Sequence, residues 1–169
     1  MTARLAGAHG AAGPADGPDV DTLLAALPVL ASVVLFEAPD PNAHAAAPAP
    51  GLSPRSVVRL QLAALARNDR PHRDAGVRVA WRFAARPWRD RIGGYAGLRA
   101  ALHGPALRPL LAHGEALIDD PTVNAGRATV LVVTLNPRGR AAGFLFELRR
   151  DRGSAGPPRW LGLALRRLD

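Results

Sequence analysis

An α+β fold, with N-terminal helices packed on an antiparallel sheet, is what the order of hydrophobic periods predicts for this chain. Three observations carry that expectation. Between Ser53 and Leu111 apolar residues recur at the 3.6-residue spacing of amphipathic helices. After His113 the spacing drops to two, the period of half-buried strands. The Asn136-Pro137-Arg138-Gly139 link between two of the strand-like runs then suits a tight antiparallel connection, with Pro second and Gly fourth.

The first helix opens at Ser53, an N-cap residue, followed by Pro54, whose missing N–H costs nothing in the first turn. Val58, Leu62 and Leu65 share one face of a helix that runs to about Asn68, where Asn68-Asp69-Arg70-Pro71 breaks it. A second helix starts after Asp74 with Val77, Trp81 and Ala84 on one face and Val79 and Phe83 beside them. A third starts near Gly94 and buries Tyr95, Leu98 and Leu102, and a short helical turn covers Pro105 to Leu111. Arg127 to Leu135, Arg140 to Arg149 and Arg159 to Leu168 read as long strands, and His113 to Ile118 as a shorter one.

Pairing Asn136 with Gly139 sets Leu135 opposite Arg140, Val133 opposite Ala142, Leu131 opposite Phe144 and Thr129 opposite Phe146. One face then carries Leu131, Val133, Leu135, Phe144 and Phe146, and the other Val130, Val132 and Leu145. Both faces are apolar, whereas a sheet with one wet face alternates more cleanly. The helices are expected to cover one face, and either Leu23 to Phe36 or a second subunit the other. A one-residue slip would exchange the two sets.

The 169 residues suffice for one domain with an ordinary core. Residues 1 to 51 read as an Ala/Pro/Gly-rich N-terminal arm, and 52 to 169 as the domain. The stretches 1–19 and 38–51 are too poor in large apolar groups to offset the entropy of ordering and are expected to be flexible or polyproline-like. Between them Leu23 to Phe36 is free of charge, yet shorter than the roughly 20 residues of a membrane span. Asp16, Asp19 and Asp21 stand where a secretory signal carries positive charge.

Residues 1 to 50 hold one Arg and five acidic side chains, and the remainder 21 Arg against nine. The domain is therefore strongly basic, which raises the local concentration of anions. All its cationic side chains are Arg and none is Lys, however, which GC-rich coding produces without regard to function. Cysteine is absent, which excludes disulfides, thiolate nucleophiles and thiolate-ligated metals.

The run Ser53-Pro54-x-x-Val57-Val58-Arg59-Leu60-Gln61-Leu62-x-Ala64-Leu65, then Asn68-Asp69-Arg70-Pro71, Gly76-Val77-x-Val79 and Trp81-x-Phe83-Ala84, resembles an uncharacterised branch of the nuclear transport factor 2-like, or cystatin-like cone, superfamily found in plants and other phototrophs. The resemblance spans roughly residues 52 to 169. It implies helices closing a cone over the sheet, a plastid setting, and a cavity that other members of the superfamily use for small ligands or catalysis. Fold alone does not carry function.

Candidate chemistry is sparse. Asp69 with His72 could orient an imidazole as a general base, and His113 with Glu115 could point together into the cone. Turn formation beside Pro71 and an ordinary strand edge are the plainer readings. His72, His103 and His113 lack any short metal-ligand spacing. Asp119-Asp120-Pro121 reads as a turn, and Gly93-Gly94-Tyr95-Ala96-Gly97 matches no phosphate-binding loop, so neither a metal nor a cofactor is called for. Trp81, Phe83, Tyr95, Phe144, Phe146 and Trp160 could line an apolar ligand pocket, and core packing explains them equally well. Arg149, Arg150 and Arg152, with Arg159, Arg166 and Arg167 nearby, could form an anion-binding rim. The rim lacks interleaved aromatics for stacking bases, which argues against nucleic acid as the partner.

The expected function is thus a non-enzymatic domain that binds a small apolar ligand or a protein partner and dimerises through the outer sheet face. The alternatives are an acid/base enzyme of isomerase, dehydratase or hydrolase type using Asp69, His72, His113 or Glu115, and an anion or nucleic-acid binder using the Arg rim.

Overall fold

The structure, a computed structural model, describes residues 42–153 and 156–168. The apolar segment Leu23 to Phe36 lies outside the described residues, as does most of the expected arm. Four α-helices precede an antiparallel sheet: α1 Pro54–Ala66, α2 Ala75–Phe83, α3 Arg86–Arg91, α4 Gly94–His103, then β1 Glu115–Ile118, β2 Thr122–Asn124, β3 Arg127–Leu135, β4 Ala141–Asp151 and β5 Arg159–Leu168. Single 3-10 turns stand at Ala43–Ala45 and Arg108–Leu110.

The helix starts follow the sequence signals. The Ser53 hydroxyl accepts the Ser56 N–H at 3.1 Å, and Pro54 occupies the first position of α1. Val57, Val58, Gln61, Leu62, Ala64 and Leu65 are buried, an i, i+4, i+7 stripe that packs on α2 and the sheet. Asn68 ends the helix and ties the turn: its carbonyl accepts the Gly76 N–H at 3.0 Å and its side-chain oxygen the Val77 N–H at 3.1 Å. On α2 the buried stripe is Gly76, Ala80 and Phe83 flanked by Val77 and Val79, while Trp81, expected on the buried face, is only half-buried. Helix α3 was not anticipated. Its six residues bury one side chain, Trp88, which rests on Gly162 of β5, and so short a segment carries no readable period.

The described end of the expected arm, from residue 42, lies against the helices. Ala43 is 1% exposed within the core, and one Arg82 amino group donates to the carbonyls of His44 and Ala46, at 3.0 Å each. A small side chain and a doubly used guanidinium supply what the composition lacks.

Strand β3 is central: β1 and β2 both pair with it on one side, β4 on the other, and β5 forms the far edge. The first edge is thus one strand interrupted by Asp119-Asp120-Pro121, a break that also disfavours pairing with another chain. The β3–β4 register differs by one residue from the expected one. Leu135 pairs with Ala141, Val133 with Gly143, Leu131 with Leu145 and Val130 with Phe146. Two-residue hairpin turns need a positive φ at their first position, which Pro137 cannot adopt. The chain takes a three-residue loop, with Gly139 left-handed at φ 75° and the Asn136 side-chain oxygen accepting the N–H groups of Arg138 and Arg140. Gly139→Ala is accordingly expected to cost about 1 kcal/mol, read as a lower urea midpoint with unchanged slope.

The slip re-sorts the faces. Val130, Val132, Phe144, Phe146 and Leu148 face the helices and are buried, and Leu131, Leu135 and Leu145 lie on the outer face, half-buried. The two sets remain apolar, as expected, but Phe144 and Phe146 belong with Val130 and Val132.

Candidate functional site

The six aromatic candidates lie in different surroundings. Phe83, Phe144 and Phe146 are buried in the core. Trp81 meets Tyr95 edge to face at 5.9 Å, and the Arg89 guanidinium sits 4.6 Å above the indole ring. Trp160 is half-buried against the core.

Among the described residues no hydrogen bond joins Asp69 to His72 or His113 to Glu115. Asp69 accepts hydrogen bonds from the Asn68 side chain at 2.8 Å and the Asp74 N–H at 3.0 Å, which fastens the α1–α2 turn. His72 is exposed beside the Arg73 carbonyl. His113 is buried, its Nδ1 2.8 Å from the Leu110 carbonyl, whereas Glu115 pairs with Leu135 on the outer face. Of the rim, Arg149 is held by Asp151 at 2.8 Å, and Arg150 follows it on the strand and points to the opposite face, leaving Arg152 beyond the strand end. Among the described residues no three acidic or imidazole side chains stand close enough to hold a metal ion.

Two histidines are kept neutral by their surroundings. Burial pushes the His113 imidazole below its ordinary value, partly offset by its bond to Leu110. His44 is lowered first by burial and then by Arg67, His72 and Arg82, and both its ring nitrogens are shut from solvent without a partner among the described residues. The unfolded chain therefore takes up these protons first. Their effect on stability is nil well above about pH 6.5 and becomes a loss as pH falls through that value. Urea midpoints at pH 7.5 and 5.5 should drop less in His113→Asn than in the parent, and least when His44→Asn is added.

The polar cluster that does form escaped sequence reasoning. Asp74, buried and left-handed at φ 60°, receives Arg99 Nε at 2.6 Å, His103 Nε2 at 2.7 Å and the Asn68 side-chain amide at 3.3 Å. Arg99 and His103 stand four residues apart on one face of α4, a spacing visible in the sequence, but their partner is 25 and 29 residues away. The cluster pins α4 to the α1–α2 turn.

Helix α4 in turn walls a groove. Gly104 caps it, donating to the carbonyls of Ala100 and Ala101, and Pro105 prevents continuation. Across from this end lies the last part of β5. A bulge between Glu147 and Leu148 leaves Leu163 unpaired, so that Leu165 stands opposite Phe146 and Arg167 opposite Phe144, both on the helix-facing side. Without the bulge Ala164 and Arg166 would face inward. Between the two walls opens a groove of about 700 Å³, floored by Ala101, Pro105, Leu107 and Leu165 and edged by Arg166 and Arg167. Arg166 also pairs with Glu147, 3.5 Å away, while Arg167 has no ion pair among the described residues. The sequence showed the Arg166-Arg167 doublet and the Gly104-Pro105 stop, and without the bulge nothing joined them.

No family model, curated protein or solved structure matches this chain. The class that its own structure defines is an α+β domain with helices on one face of an antiparallel sheet. Among the described residues no helix is long and apolar enough to cross a membrane.

Proposed function

We propose that the chain is a non-enzymatic binding domain that takes a small ligand with an apolar body in the groove between α4 and β5, and that it self-associates through the outer sheet face. The groove carries the reading: it is an open depression of about 700 Å³ whose lining is mostly apolar, with few polar groups. The helices-then-sheet order supports the resemblance to the nuclear transport factor 2-like superfamily, whose members hold small ligands between helices and sheet. Half-buried Leu131, Leu135 and Leu145 on the outer face support self-association.

Native mass spectrometry of the purified full-length chain tests both parts. A dimer carrying a bound metabolite is expected, with the adduct absent from Ala101→Trp, which fills the groove, and the dimer retained. An adduct that persists in that variant overturns the groove, and a monomer at micromolar concentration overturns the outer-face contact.

A further inference from the structure

Resting on the groove as the binding site, we infer that its ligand is an amphipathic anion, with a carboxylate on Arg167 and an apolar body running toward Ala101 and Leu107. The lining charges point to the head group. Among the described residues no acidic side chain lines the groove, and two arginines do. Arg166 is partly neutralised by Glu147, while Arg167 stands exposed and without an ion pair among the described residues, opposite the buried Phe144. Its planar fork suits a carboxylate held by two parallel hydrogen bonds.

Helix α4 ends at His103 beside the groove, and Ala101, Leu107 and Leu165 give the lining an apolar surface that receives the body of the molecule whose head Arg167 holds. Arginine by itself is uninformative in a chain without lysine. What singles out Arg167 is its inward register and its lack of a counter-ion among the described residues.

Three probes of equal length and different charge provide the test: decanoate, decanamide and decylamine, titrated calorimetrically into the full-length chain. The wild type is expected to bind decanoate at least tenfold more tightly than decanamide and to bind decylamine least. Arg167→Gln should abolish the preference for decanoate while leaving decanamide affinity unchanged. Arg167 is exposed, so the variant is expected to unfold at the parent's urea midpoint. Equal binding of decanoate and decanamide by the wild type would overturn the anion inference and leave the apolar groove standing. No binding of any probe would overturn both. A preference that survives Arg167→Gln would overturn the assignment to this residue.

Discussion

Gly76→Ala is expected to lower stability by about 3 kcal/mol, although alanine is the better helix former by about 1 kcal/mol at an unencumbered position. The two effects oppose each other, and geometry decides between them. A Cβ on Gly76 would overlap the Ala64 carbonyl and stand 3.0 Å from Leu65 Cα. Both are backbone atoms of α1, so no side chain can swing aside. Sliding α2 outward would relieve the overlap only by stretching the bonds from Gly76 N–H to the Asn68 carbonyl and from Val77 N–H to the Asn68 side chain. Those bonds are buried, and loss of a buried bond costs about 1–3 kcal/mol. With urea slopes of about 1–3 kcal/mol/M, the midpoint should fall by roughly 1–3 M. An unchanged midpoint would mean that the two helices do not approach so closely.

The glycine that permits this contact was legible only as part of a family-like run, and the same limit applies across the fold. Periodicity located α1, α2, α4 and the three long strands because each buries one continuous stripe, which is a local property of the chain. It could not locate α3, where a single tryptophan provides the burial, or β2, whose three residues are all exposed. Register failed for a reason present in the sequence: Pro137 forbids the turn that a four-residue count suggests. The groove failed for a different reason. Whether Arg166 or Arg167 faces the helices depends on one extra residue at Leu163, and a bulge leaves no mark on composition. Alternation along Arg159 to Leu168 is consistent with either face being inward. The bonds of Asp74 to Arg99 and His103 join residues 25 and 29 apart, which no local pattern reveals.

Asp74→Ala is expected to cost about 3 kcal/mol, and its pH dependence should separate charge from packing. Two losses combine: alanine tolerates the left-handed φ of 60° poorly, at about 1 kcal/mol, and the buried Asn68 amide loses one of its two acceptors, at about 1–3 kcal/mol. Asp74→Asn keeps the backbone tolerance and one of the two accepting oxygens while removing the charge, so it should cost less than Asp74→Ala. The Asp74 carboxyl lies well below the usual carboxylate range. Burial alone would raise it, but hydrogen bonds from His103, Arg99 and Asn68, together with the charge of Arg99, outweigh that effect. On acidification the unfolded chain therefore binds the proton first. The contribution of the ionised group is complete above about pH 5 and is lost as pH falls through the ordinary value of about 3.9 and below. The gap in urea midpoint between wild type and Asp74→Asn should thus narrow below about pH 4, and a gap that stays constant would assign the loss to packing. Because Arg99 and His103 hang from α4, and α4 also carries Ala101, loosening this anchor should reach the groove. At pH 7 decanoate is expected to bind Asp74→Ala more weakly than wild type under conditions where both remain folded. Arg167→Gln loses discrimination between probes, whereas Asp74→Ala should lose affinity for decanoate and decanamide alike, because it displaces the apolar wall and leaves the anion-binding residue in place.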